Sequence, residues 1–169
     1  KSAKTPNLMV RSVNESISKL NVPIDICYFH QNEIEIISDK YVHEGIKALK
    51  NWNLIKEVGT SVYSQEELIY SLDCGLYDWV QIPVNILDTS FYRTASNHIS
   101  DAKIAARSVF LQGVIFNDER ARINIKDHNE LLGSLNQLRN LGSDFGMTIQ
   151  QISVAYLSSL EKINQIIIG

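Results

Sequence analysis

The chain has 169 residues and a net charge of −3 at pH 7, with 44% hydrophobic and 21% charged residues. That length allows one domain with a sizeable core, and the composition is that of a folded globular domain rather than a disordered segment. The Lys and Arg residues are scattered, with no basic stripe for nucleic acid, and apolar runs as short as Ile166 to Ile168 leave nothing to span a bilayer.

Taken in chain order, the pattern alternates helix and strand. Lys1 to Lys4 and Thr5-Pro6 lack the apolar core of a signal peptide. Val13, Ile17 and Leu20 recur at helical spacing, and Ile24 to Phe29 follows as a compact apolar strand ending at His30. Tyr41 to Leu54 is predicted helical, with Val42, Ile46, Leu49 and Trp52 on one side, and Ile55 to Val62 is a strand in which Gly59 permits close backbone approach. Ser64 with Glu67 three residues on is the pattern of a capping box, opening a helix to about Leu72. Trp79 to Asn85 is the next strand, Ser90 to about Ile99 a helix with a weak apolar face, and Ile104 to Leu111 a further strand. A polar excursion over Asn117 to His128 precedes two helices, Asn129 to Phe145 and Thr148 to Leu160, and Ile166 to Ile168 closes the chain as a strand before Gly169.

Five strands alternating with helices predict an α/β fold with a parallel sheet covered by helices. Periodicity alone also admits a five-stranded doubly wound sheet, but no Gly-rich phosphate loop follows the first strand. Cys27 and Cys74 lie in apolar stretches without CxxC spacing, so buried free thiols in a reducing, cytoplasmic setting are expected. His43, His98 and His128 share no metal-ligand spacing, and no zinc site is expected.

Particular runs carry a more specific likeness. Asp25-Ile26-Cys27-Tyr28-Phe29-His30 resembles the fourth strand of the aldo-keto reductase family, which ends in an active-site histidine. Before it, Ser12-Val13-Asn14-Glu15-Ser16 and Lys19-Leu20 resemble the preceding helix; after it, Ala48-Leu49-Lys50 and Ile55 through Ser61 resemble the next helix and strand. Val80 to Asp88, Ala106 to Gly113, and Thr148 to Leu157 followed by Ile166 to Gly169 continue the family pattern in order. The resemblance covers nearly the whole chain. It implies a partial (β/α)₈ TIM barrel, about strands 4 to 8 with their helices, with residues 1–169 as one barrel segment incomplete at both ends.

The resemblance also implies roles. His30 matches the histidine that hydrogen-bonds the substrate carbonyl, for which an imidazole N–H suits developing oxyanion charge. Ser61 and Gln81 match the pair that grips the nicotinamide carboxamide, and Val62 stands where the family often has asparagine. Ser108, Phe110 and Gln112 fall in the segment that wraps the cofactor pyrophosphate through backbone N–H groups. Arg107 occupies a position where many members stack an aromatic on the nicotinamide, Val109 replaces a common proline, and Gly169 is where the loop for the 2′-phosphate begins. NADP(H) is thus the implied cofactor, with NAD(H) as the alternative, and a small aldehyde or ketone the implied substrate. The expected function is part of an oxidoreductase moving hydride between NADP(H) and a carbonyl or alcohol; the alternative is a non-catalytic barrel that binds or regulates. No residue aligns with the family's catalytic tyrosine, lysine or aspartate, so the chain alone is expected to be inactive. The loop from Val114 to His128 is expected to flank the substrate pocket; substrate identity and oligomeric state are not legible.

Overall fold

The computed structural model describes residues 3–116 and 128–168. Its elements are α1 (Thr5–Leu20), β1 (Ile24–Phe29), α2 (Ile34–Ile37), α3 (Lys40–Asn51), β2 (Ile55–Ser61), α4 (Gln65–Asp73), β3 (Trp79–Pro83), α5 (Ser90–Asn97) and β4 (Lys103–Arg107). An irregular 3₁₀ segment (Leu111–Phe116), α6 (His128–Asp144), α7 (Ile149–Ser158) and β5 (Ile163–Ile166) complete them. The strands form one parallel sheet in the order β1-β2-β3-β4-β5, the sequential topology that strand–helix–strand connections produce. The chain divides into two compact units, residues 1–82 with 94–104 and residues 83–93 with 105–169.

In the first unit, Val10 and Val13 of α1, Ile37, Val42, Ile46 and Leu49 pack with Ile55, Val58 and Tyr77 into one apolar core. Cys27 and Phe29 lie against that core, so alternate residues of β1 face the helices and Ile26 and Tyr28 take the other face. Register fixes what lies beside them: Tyr28 is opposite Gly59, and Gly59 is opposite Trp79. A Cβ on Gly59 would overlap the Tyr28 ring and come within 3.1 Å of Trp79 Cβ. Glycine at 59 is therefore a packing requirement between two aromatic side chains.

The helix starts follow their caps. Asp39 accepts hydrogen bonds from the Tyr41 and Val42 amides to open α3, and Ser64 and Glu67 form the reciprocal capping box of α4. Three sequence expectations need correction here. The first helix begins at Thr5, because Pro6 sits in the first turn, where no intrahelical N–H is needed. Trp52 is 62% exposed: α3 stops at Asn51, and the chain turns at Asn53 (φ 55°), so the indole leaves the apolar stripe. Both cysteines are free, but half-buried rather than buried, and burial pushes both thiols above their ordinary range.

The second unit has its own core of Val114, Ile115, Leu135 and Ile149, flanked by Phe110, Leu111, Leu131 and Ile152. Phe110 meets Phe116 edge to face at 5.2 Å. Thr148 and Gln151 form a second capping box, opening α7. Strand β4 ends at Arg107, four residues short of the apolar run, because Ser108 (φ 62°) turns the backbone out of the extended region. Strand β5 spans Ile163–Ile166 rather than starting at Ile166, while the Ile167 amide still donates to the Ala106 carbonyl (2.8 Å).

Candidate functional site

Sheet register assembles the first group of candidate residues. Phe29 is opposite Thr60, Thr60 opposite Val80, and Ser61 opposite Gln81. His30 follows Phe29 directly, so it stands one step past the strand pairing, level with Ser61 and Gln81. The pleat gives the face of the two strand residues: Ser61 is two past Gly59 and Gln81 two past Trp79, both on the face away from the helical core. Three candidates far apart in sequence thus stand at the C-terminal ends of three adjacent strands, Ser61 and Gln81 on one face.

Their surroundings differ. Ser61 is 1% exposed and donates from Oγ to Gln81 Oε1 at 2.9 Å. That bond leaves the Gln81 amide nitrogen as the directional donor of the pair. His30 is exposed and makes no hydrogen bond or ion pair among the described residues. An accessible imidazole beside a pre-oriented amide can donate to, or accept from, a polar planar ligand.

The turn that carries His30 has an anchor. Asn32 is 8% exposed, and its amide donates to Glu67 Oε2 at 2.6 Å. The same oxygen accepts from the Tyr63 and Ser64 amides at 2.7 and 3.1 Å. Glu67 was legible as half of a capping box; the side chain reaching it from Asn32 was not, since nothing local in sequence links positions 35 apart. At the opposite end of the strands, Glu57 accepts from the Trp79 indole N–H and from Lys103 Nζ, both at 2.6 Å, and the Lys103 ammonium lies 5.1 Å from the Trp79 ring centroid. These two donors hold the Glu57 carboxyl below its ordinary range. Tyr28, pushed up to about 12 chiefly by burial and secondarily by Glu57, stays a neutral phenol whose buried oxygen has no hydrogen-bond partner among the described residues.

The remaining candidates belong to the second unit. Arg107 ends β4, its carbonyl accepting from the Val84 amide and its guanidinium donating to Ser108 Oγ at 3.1 Å. Ser108, Leu111, Gln112 and Gly113 all have positive φ, at 62°, 48°, 53° and 83°. Two amides of this turn are engaged within it, Leu111 N–H donating to the Ser108 carbonyl at 3.0 Å and Gly113 N–H to the Phe110 carbonyl at 2.8 Å. Phe110 is half-buried against the second core, so its ring serves packing. Gly169 and residues 117–127 of the expected pocket loop lie outside the described residues.

Among the described residues no group of three His, Cys, Asp or Glu side chains could hold a metal ion, and no helix is long and apolar enough to cross a membrane. His43 is engaged with the Ile37 carbonyl at 2.7 Å, and His98 lies 3.4 Å from Asp73.

No curated protein sequence matches the chain. Solved structures do. An aldo/keto reductase from Klebsiella pneumoniae in complex with NADP and acetate is 15% identical, with a TM-score of 0.68 over 95% of this chain and 54% of its own. The glycerol dehydrogenase from Gluconobacter oxydans is 16% identical, with a TM-score of 0.74 over the same shares. The apo form of an aldo-keto reductase from Bacillus halodurans is 17% identical, with a TM-score of 0.74 over 98% of this chain and 58% of its own. The chain therefore spans about half the length of these structures, and the likeness is one of fold, a partial (β/α) barrel. The model of the aldo/keto reductase family matches residues 1–169 throughout, and the chain belongs to that family.

Proposed function

We propose that the protein is an NADP(H)-dependent oxidoreductase acting on a small aldehyde or ketone, and that this chain supplies its carbonyl-orienting histidine and part of its cofactor site. The observation that carries the reading is the Ser61–Gln81 hydrogen bond, at the C-terminal ends of the strands next to the one His30 follows. A hydroxyl that fixes one end of an amide leaves the other end aimed, and an aimed amide is what a planar carboxamide needs to be held one face up. The bound nicotinamide supplies the hydride.

The chain's own residues then divide the work. The Gln81 amide and Ser61 hydroxyl hold and orient the carboxamide. His30 donates an imidazole N–H to the substrate carbonyl oxygen, where negative charge develops during reduction. Arg107, Ser108 and Gln112 are assigned to the cofactor phosphates on family resemblance, the Arg107 guanidinium supplying the charge; Phe110 contributes by fixing that turn to its core. Gly169 is assigned to the start of the 2′-phosphate loop on family resemblance. The 169 residues alone are proposed to be inactive, since none aligns with the family's proton-donating tyrosine, and losing a general acid costs ~10²–10⁴ in rate.

Fluorescence titration of the full-length protein with NADPH, and loss of NADPH absorbance with a panel of aldehydes and ketones, test this reading. Saturable binding with turnover is expected. Binding without turnover favours the non-catalytic alternative, and no binding overturns the proposal.

A further inference from the structure

We infer that Asn32 and Glu67 are positioning residues for His30, tying the turn after β1 to the turn after β2. The role of His30 itself rests on the proposed function; the tie does not. The geometry is specific. His30 leaves the end of β1 onto an exposed turn, and two residues later Asn32 is buried and donates to the Glu67 carboxylate at 2.6 Å. That oxygen also accepts from the Tyr63 and Ser64 amides, which begin the turn leading away from Ser61. One carboxylate oxygen therefore fixes the backbone on both sides of the candidate pair, His30 through Asn32 and Ser61 through Tyr63.

Charge-assisted hydrogen bonds of this kind are roughly twice as strong as neutral ones, and the donor is sequestered from competing water. The exposed imidazole has no bond of its own among the described residues to set its direction. Its placement depends on the backbone that carries it, and Asn32 is the nearest buried side-chain anchor of that backbone. Helix α2 begins two residues further on and packs on α4, so the tie lies beside a helix contact of the same two segments.

The test breaks the bond from one side and keeps it from the other in the full-length protein. Asn32→Asp sets a carboxylate against the Glu67 carboxylate and should break the tie. Glu67→Gln alone keeps an acceptor oxygen for Asn32 and for the Tyr63 and Ser64 amides, preserves the capping box, and is the isosteric control. The first readout is the His30 ring signals in ¹H–¹⁵N NMR, identified by their loss in His30→Ala. The second is kcat with a reducible carbonyl, set against the Kd for NADPH. Asn32→Asp should shift the ring signals and lower kcat roughly tenfold or more, since misplacement by 1 Å can cost ~10²-fold, with the Kd for NADPH unchanged. Glu67→Gln should keep both near their native values.

Ring signals at native positions in Asn32→Asp, or shifted as far by Glu67→Gln, would overturn the tie. Should Asn32→Asp not fold, Asn32→Ala removes the donor without a like charge and is read the same way. Ring signals that shift in Asn32→Asp and not in Glu67→Gln while kcat stays constant leave the tie standing and count against the role proposed for His30.

Discussion

The ends of β2 and β4 both carry candidate ligand-binding residues, but they are built by opposite means. At the end of β2, side chains do the holding: the Ser61 hydroxyl aims Gln81, and Glu67 gathers an amide from Asn32 and two backbone N–H groups. At the end of β4, the backbone does it, through left-handed residues at 108, 111, 112 and 113 and a guanidinium laid on Ser108. A site made by side chains should be sensitive to loss of single functional groups. A site made by backbone should tolerate side-chain truncation and respond to changes in conformational preference.

The largest expected effect tests the first half of that contrast. His30→Ala in the full-length protein should lower kcat by ~10²–10³, the usual cost of removing one preorganised donor to developing oxyanion charge. Its Kd for NADPH should hardly change. Gln81→Ala should do the reverse, raising that Kd more than it lowers kcat, because it removes binding present before and during the reaction alike. Steady-state kinetics and fluorescence titration separate the two. If the two variants swapped signatures, the side-chain roles would be wrong even with the fold right.

The next effect is on stability. Gly59→Ala drives a methyl into the Tyr28 ring beside Trp79 and should cost about 1–3 kcal/mol, as overpacking of a filled site does. Denaturant unfolding measures it, and a loss below a few tenths would mean the aromatic pair yields freely. Nearby, Glu57 links the same face to pH. Its carboxyl is lowered by Lys103 and Trp79, so its contribution to stability is fully present above the ordinary carboxylate range and is lost as pH falls through the depressed value. Melting temperature should drop below about pH 4, and Glu57→Gln should flatten that part of the profile.

These features were unequally legible in sequence. The bounds of β1, the Ser64–Glu67 box and the Thr148 start follow from local patterns of apolar spacing and capping, and the structure has them there. The likeness of His30, Ser61 and Gln81 to a known family was visible residue by residue, and parallel register explains why they stand at one end of the sheet. The Asn32–Glu67 and Glu57–Trp79–Lys103 contacts were not visible, because they join residues 22 to 46 apart through side chains that no periodicity tracks. The end of β4 was misjudged for a related reason. Ser108, Leu111 and Gln112 are not residue types that announce positive φ, and the apolar run through Leu111 looks like continuing strand.

The smallest expected effect tests the backbone half of the contrast. Gln112 is exposed and sits at φ 53°, immediately before Gly113 at φ 83°. A non-glycine residue in the left-handed region costs roughly 1–2 kcal/mol, while glycine adopts it freely but loses more chain entropy on folding, by about 0.5–1 kcal/mol. The two terms oppose each other, and the strain term is the larger. Gln112→Gly should therefore be neutral to stabilising by less than about 1 kcal/mol, and it should leave the Kd for NADPH within a few-fold, since the turn keeps its backbone N–H groups. Gln112→Val should go the other way on both measures, because a β-branched side chain resists positive φ. Paired thermal melts and NADPH titrations of the two variants give the answer. Equal losses from glycine and valine would show that the Gln112 side chain itself binds, and would erase the distinction between the two strand ends.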